Sequence, residues 1–188
     1  MRLNTLSYGL LALLSASPLT GYDLAQKIKP LWQAGHSQIY PLLAALEQNG
    51  YITFERIEQQ EKPDKKEYSI TDKGLTELGR WVELPAENPV LRDELHFKLY
   101  GLWLSEPEKA KELLATREAF CRSELVRYEG LMRALEERRV SGENARKKNA
   151  RLLGRYLLLS KRKMDTRTSL AFCEWAMLEL EASEWLEG

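Results

Sequence analysis

The sequence has 188 residues, 44 % of them hydrophobic, and balances 28 Lys and Arg against 28 Asp and Glu. That length and apolar content suit two small folded domains and exclude disorder as the main state. Zero net charge excludes a whole-molecule field for nucleic acid or an anionic membrane, so any such attraction must be local. The two cysteines form no C-x-x-C pair and no apolar run approaches the roughly 20 residues of a membrane span, which points to a reduced cytoplasmic protein.

Asn4 or Thr5 caps a first helix carrying Leu6, Leu10, Leu11, Leu13 and Leu14 at helical spacing, and Ser17-Pro18 ends it. The polar Asn4 and Thr5 interrupt what would otherwise resemble a signal peptide, and no small-x-small cleavage site follows. Thr20 caps a second helix with Tyr22, Leu24, Ala25 and Ile28 facing inward and Pro30 stopping it. After Gly35, Ser37 is expected to cap a third helix through Ile39, Leu42, Leu43 and Leu46. Pro41 then falls in its first turn, and Asn49-Gly50 closes it. The pattern next turns to β: Tyr51–Ile57 is β-branched and aromatic, a polar stretch to Lys65 contains Pro63-Asp64, and Glu67–Ile70 returns as a second strand. Thr71-Asp72 caps a fourth helix to about Glu83, with Leu75, Leu78 and Val82 on one side.

Pro85 and Pro89 bracket a polar break that separates an N-terminal domain, residues 1–84, from a C-terminal one, residues 90–188. Leu91–Leu104 reads as one helix aligned on Leu95, Leu99 and Leu102, and Ser105-Glu106-Pro107 starts a long one. Its stripe comprises Ala110, Leu113, Leu114, Phe120, Cys121, Leu125, Tyr128, Leu131, Met132 and Leu135, ending at Ser141-Gly142. From Asn144 to Leu186 there is no proline and one glycine, Gly154, which allows a single helix of about 60 Å. Leu152, Tyr156, Leu159, Leu170, Cys173, Met177 and Leu180 keep near-heptad spacing there; Lys163 and Thr166 interrupt it, and Phe172, Trp175, Leu178 and Trp185 widen the face. So much apolar surface on long helices calls for a partner, and the C-terminal domain is expected to dimerise.

Three helices, a hairpin and a helix form a winged helix-turn-helix, whose third helix enters the major groove while the wing flanks phosphates. The chain is therefore expected to be mainly α, an N-terminal winged helix with a β-hairpin wing followed by a helical dimerisation domain. The first turn of the third helix offers His36, Ser37, Gln38 and Tyr40, able to hydrogen-bond base edges or phosphate oxygens. Gln38 is the preferred base reader, while Tyr40 suits either a phosphate anchor or a packed core ring. None is basic. The cations lie at the hairpin tip, Lys62, Lys65 and Lys66, with Arg2 and Lys27 as further candidates.

The blocks Leu6–Leu14, Pro18–Leu24, Ser37–Leu43, Leu46–Ile52 and Lys66–Gly74 together resemble the PadR family of transcriptional regulators. Arg92–Lys98 and the terminal helix are similar, more loosely, to its larger subgroup, whose C-terminal helices dimerise. The resemblance implies a homodimer on double-stranded DNA at a pseudo-palindromic operator, usually as a repressor, with release by a small effector such as a phenolic acid in some members. A two-fold dimer would set its third helices about one helical turn, ~34 Å, apart.

Other classes find less support. No Gly-rich phosphate loop, G-x-S-x-G or H-E-x-x-H is present, so no enzyme is expected. His36 and His96 lack metal-site spacing, and no cofactor is implied. Cys121 and Cys173 fall at apolar helical positions without a motif that would lower their pKa, and read as inert core thiols rather than a redox switch. The basic run Arg146, Lys147, Lys148, Arg151, Arg155, Lys161, Arg162, Lys163 and Arg167 reads as a solvated helix face. Trp103, Tyr128, Tyr156 and Trp175 are core residues or the wall of a planar-ligand pocket. The alternative to DNA binding is a winged helix used for protein contact, which suits a first 84 residues with 9 basic and 10 acidic side chains.

Overall fold

The computed structural model describes residues 3–32, 34–57, 65–90, 92–141 and 145–182. They form two compact units, Met1–Pro89 and Val90–Gly188. The chain is mostly helical, with one small antiparallel sheet and long C-terminal helices.

In the first unit the order is α1 (Thr5–Leu14), β1 (Leu19–Thr20), α2 (Gly21–Ile28), α3 (His36–Gln48), β2 (Ile52–Ile57), β3 (Lys65–Ile70) and α4 (Asp72–Val82). Asn4 caps α1, its side chain accepting from Ser7 N at 2.8 Å. Thr20 and Asp23 form a reciprocal capping box on α2, which satisfies two backbone donors that the helix itself leaves unpaired. One cluster of Leu6, Leu10, Leu11, Leu24, Ile28, Ile39, Leu43, Leu46 and Ile52 holds the helices against the sheet. At its edge Tyr8 stacks on Trp81 with centroids 4.6 Å apart and donates to Glu77 at 2.8 Å, clamping α1 to α4.

Several sequence expectations are corrected here. The sheet has three strands in the order β1-β3-β2, because Leu19 and Thr20 pair with Tyr68 and Glu67; two residues are too few to leave an alternating pattern. β3 begins at Lys65, so Lys65 and Lys66 stand in a ladder opposite Ile57 and Arg56 instead of in a polar loop. Tyr22 points outward, 59 % exposed, since the inward face of α2 is Gly21, Leu24, Ala25 and Ile28. In α4 Leu75 and Val82 are exposed and the packed side is Gly74, Leu78 and Trp81. The N-cap of α3 is Gly35 rather than Ser37. Gln38 folds back so that its Oε1 accepts from Gly35 N at 3.2 Å. Starting there puts Pro41 in the second turn, where its missing N–H breaks one helical hydrogen bond. Gly50, with φ +70°, ends the helix as expected.

The second unit holds α5 (Glu94–Tyr100), a 3-10 turn at Leu102–Leu104, α6 (Pro107–Glu136) and α7 (Ala145–Ala182). The expected Leu91–Leu104 helix is thus broken at Gly101, and Trp103 and Leu104 are exposed beyond the break. Pro107 opens α6 at its first position, where it costs no hydrogen bond. α7 runs unbroken for 38 residues. It lies antiparallel to α6, since Arg122 meets Glu174 at 2.7 Å while Glu129 meets Lys163 at 2.8 Å. Their contact line is narrower than the sequence stripe. Leu114, Cys121, Tyr128 and Leu135 are buried on α6, and Cys173 and Ala176 on α7, whereas Phe120, Leu131, Trp175 and Leu178 are exposed. At the turn Asn149 closes the pair, accepting from Val140 N at 3.2 Å and donating to Val140 O at 2.9 Å. At the other end Arg117 grips Asp93 through two bonds of 2.7 and 2.9 Å, fixing the start of α5, which Asp93 also caps.

Candidate nucleic-acid interface

The first turn of α3 is open: His36, Ser37, Gln38 and Tyr40 are all exposed, while Ile39 between them is buried and anchors the helix. These side chains are not independent. The His36 ring lies between two phenol rings, Tyr22 at 6.5 Å and Tyr40 at 5.9 Å, with interplanar angles of 27° and 18°. α2 thus contributes Tyr22 to a ledge of three rings along the helix N-terminus, a place where unpaired backbone N–H groups already favour an anion. Tyr22 is not legible as part of this face in the sequence, because an aromatic residue in an amphipathic helix reads as core. Its offset by one position from Gly21 was the available signal.

Tyr40 itself is half exposed: one side of the ring rests on Gly21 and the rest faces outward. Gln38 has its carbonyl oxygen committed to Gly35, which leaves its NH2 group as the donor end of an exposed side chain.

The cations differ in availability. Lys66 Nζ sits 3.6 Å above the Phe54 ring and 3.7 Å from Glu47, so two partners on β2 and α3 already hold it. Lys65 is exposed on β3 and lies close enough to Asp23 to stabilise its carboxylate. Asp23 titrates below the ordinary carboxylate range, first because the Thr20 hydroxyl donates to it, and further through Lys27 and Lys65. Lys27 and Lys65 therefore bring positive charge to one acidic residue at the α2 N-terminus, beside the aromatic ledge. Lys62 and Arg2 lie outside the described residues.

Away from this face the expected features separate. Lys163 and Lys161 are paired with Glu129 and Asp165, and the side chains of Arg146, Lys147 and Lys148 lie outside the described residues. Tyr128 is buried, while Trp103 and Trp175 are exposed. Among the described residues no three His, Cys, Asp or Glu side chains are grouped to hold a metal ion, and no helix is long and apolar enough to cross a membrane.

The winged-helix segment, residues 10–80, matches the model of the transcriptional regulator PadR-like family, and residues 91–181 match that of the virulence activator alpha C-terminal region. The negative transcriptional regulator PadR of Bacillus subtilis is 33 % identical over 168 residues, covering 85 % of this chain and 88 % of the relative. The chain belongs to the PadR-like family of transcriptional regulators. The crystal structure of Bacillus subtilis PadR in complex with operator DNA superposes with a TM-score of 0.76 at 28 % identity, covering 96 % of this regulator and 99 % of that chain. The same protein in complex with p-coumaric acid gives a TM-score of 0.67 at 26 % identity, covering 95 % and 99 %.

Proposed function

We propose that this regulator is a repressor that binds a pseudo-palindromic operator in double-stranded DNA as a homodimer. The observation that carries the reading is the open first turn of α3 with its three-ring ledge, next to Asp23, toward which Lys27 and Lys65 bring positive charge. In this reading Ser37 and the Gln38 NH2 group meet base edges in the major groove, Tyr22, His36 and Tyr40 lie along the phosphates, and the wing, with Lys62 and Lys65, follows the neighbouring backbone. The operator complex of the Bacillus subtilis relative supports DNA binding by this fold. Pairing of two chains through the C-terminal unit is supported by the exposed apolar residues of α7, among them Leu153, Leu157, Met164, Trp175 and Leu178. A small planar effector relieves the repression, a part of the proposal supported by the relative's p-coumaric acid complex.

The test is a gel shift on DNA upstream of the protein's own gene, at two salt concentrations and with excess nonspecific competitor, beside sedimentation at micromolar concentration. A salt-sensitive, competitor-resistant shift from a dimeric species is expected, and it weakens when the matching phenolic or planar acid is added. No shift at low salt would favour the second reading, a winged helix that contacts another protein. The observation on that side is charge: 9 basic against 10 acidic residues in the first 84, and Lys66 already paired.

A further inference from the structure

Two free thiols lie inside the α6–α7 hairpin and take no part in the interface above. Cys121 is 2 % exposed and Cys173 is fully buried, each on the contact line of its own helix. The antiparallel alignment brings them to one level. The residue following each cysteine is joined to the other across the hairpin, Arg122 to Glu174 at 2.7 Å. The Glu129–Lys163 pair continues the alignment along the helices and fixes it against sliding. Ala176, one turn on from Cys173, is the next buried residue on α7. Electrostatics agree with the placement: Arg117 senses both sulfurs, and burial first, then the neighbouring Cys121, pushes the Cys173 thiol up.

We propose that Cys121 and Cys173 are an oxidation site that closes into a disulfide between α6 and α7. The oxidant is a hydroperoxide. One cysteine sulfur attacks the terminal peroxide oxygen, the O–O bond breaks, and the products are a sulfenic acid and water or an alcohol. The second sulfur then attacks the sulfenic sulfur, forming the S–S bond and expelling water. Two electrons leave the two sulfurs and reduce the peroxide, and a dithiol reductant reverses the bond. Because both thiols are buried, the first step requires the hairpin to open locally, so oxidation is slower than at a surface thiol and reports on the looseness of α6 against α7. Closure would lock the two helices that carry the exposed stripe of the C-terminal unit. This device is independent of DNA binding.

The experiment treats the full chain with hydrogen peroxide, quenches in acid, alkylates under denaturing conditions, and maps peptides with and without reduction. The expected result is a joined peptide pair containing Cys121 and Cys173, loss of both alkylatable thiols, migration at monomer mass on a non-reducing gel, and recovery of both thiols with dithiothreitol. C121S and C173S should each abolish the joined pair; circular dichroism checks that they fold, and the wild-type map decides the matter even if one does not. The proposal is overturned if both thiols remain alkylatable after surface methionines have oxidised, or if cross-links form only between chains. It is equally overturned if the thiols proceed to sulfinic acid without a joined peptide.

Discussion

The ring of Tyr40 rests directly on Gly21: a Cβ at that glycine would lie 2.8 Å from Cε1 and 3.2 Å from Cζ of the tyrosine. Only glycine lets α2 and α3 meet with the ring in this position, and the ring in turn stacks with His36, which stacks with Tyr22. Gly21→Ala should therefore displace Tyr40 outward. Operator affinity is expected to fall about fivefold, the ~1 kcal/mol of one neutral hydrogen bond, while the melting temperature moves little because the ring has solvent to move into. Fluorescence anisotropy on labelled operator and a thermal melt check both halves; unchanged affinity would remove Tyr40 from the contact surface.

The two described wing lysines should behave differently. Lys65→Ala is expected to weaken binding to all sequences alike and to reduce the slope of log affinity against log salt by about 1, as for one lost phosphate contact. Lys66 is already held by Phe54 and Glu47, so Lys66→Ala should change that slope less. A salt titration of both variants separates them, and equal slopes would place Lys66 on the phosphates as well.

Gly74 tests the joint between wing and α4. A Cβ there would collide with Tyr51 O, which accepts from the Thr71 hydroxyl at 3.1 Å and from Thr71 N at 3.0 Å. Backbone cannot yield as a flexible side chain does, so Gly74→Ala should cost about 3 kcal/mol, read as a lower midpoint in urea unfolding. A midpoint within error of wild type would mean that α4 shifts freely.

Acid should loosen the second unit in a defined direction. The Arg117 guanidinium beside Asp93 holds its carboxyl below the usual range, and Leu95 N adds a hydrogen bond. A depressed native pKa means that the unfolded chain binds more protons, so this contribution is complete above the unfolded value of about 3.9 and is lost as pH falls through the native one. Asp93→Asn should flatten the stability-pH profile in that window and cost about 1–2 kcal/mol at neutral pH, discounted because both side chains are over a quarter exposed. Chemical denaturation between pH 2.5 and 7 would show it; parallel profiles for wild type and variant would deny the coupling.

Capping chemistry was the most readable part of the sequence. Asn4, Thr20 and Thr71 each announce a helix start because a short polar side chain satisfies backbone donors only a few residues away. Faces were harder. Tyr22, Val82 and Trp175 are apolar residues that point outward, and composition cannot distinguish a residue that packs within its own chain from one left exposed. β1 was invisible because its two residues are strand only through pairing with Tyr68 and Glu67, a contact set by the distant hairpin. At the candidate interface, the positions of His36, Ser37, Gln38 and Tyr40 on the first turns of α3 are legible by counting along the third helix, but Tyr22 enters the ledge only when α2 is docked on α3. Likewise the bond from Gly35 to Gln38 depends on a rotamer, which spacing does not encode.

The two ion pairs across α6 and α7 also dictate what the hairpin refuses to be. Sliding α7 by one heptad so that Lys163 faced Glu136 would set Glu174 against Glu129, and sliding it the other way would set Lys163 against Arg122. Either slip turns attraction into repulsion at a pair of charges, while the leucine-rich surfaces would tolerate both. Each bridge is worth little on its own at a partly exposed site, so their value lies in the misalignments they penalise. Arg122 and Lys163 thus act as a two-tooth key for a helix pair whose apolar seam alone would fit several ways.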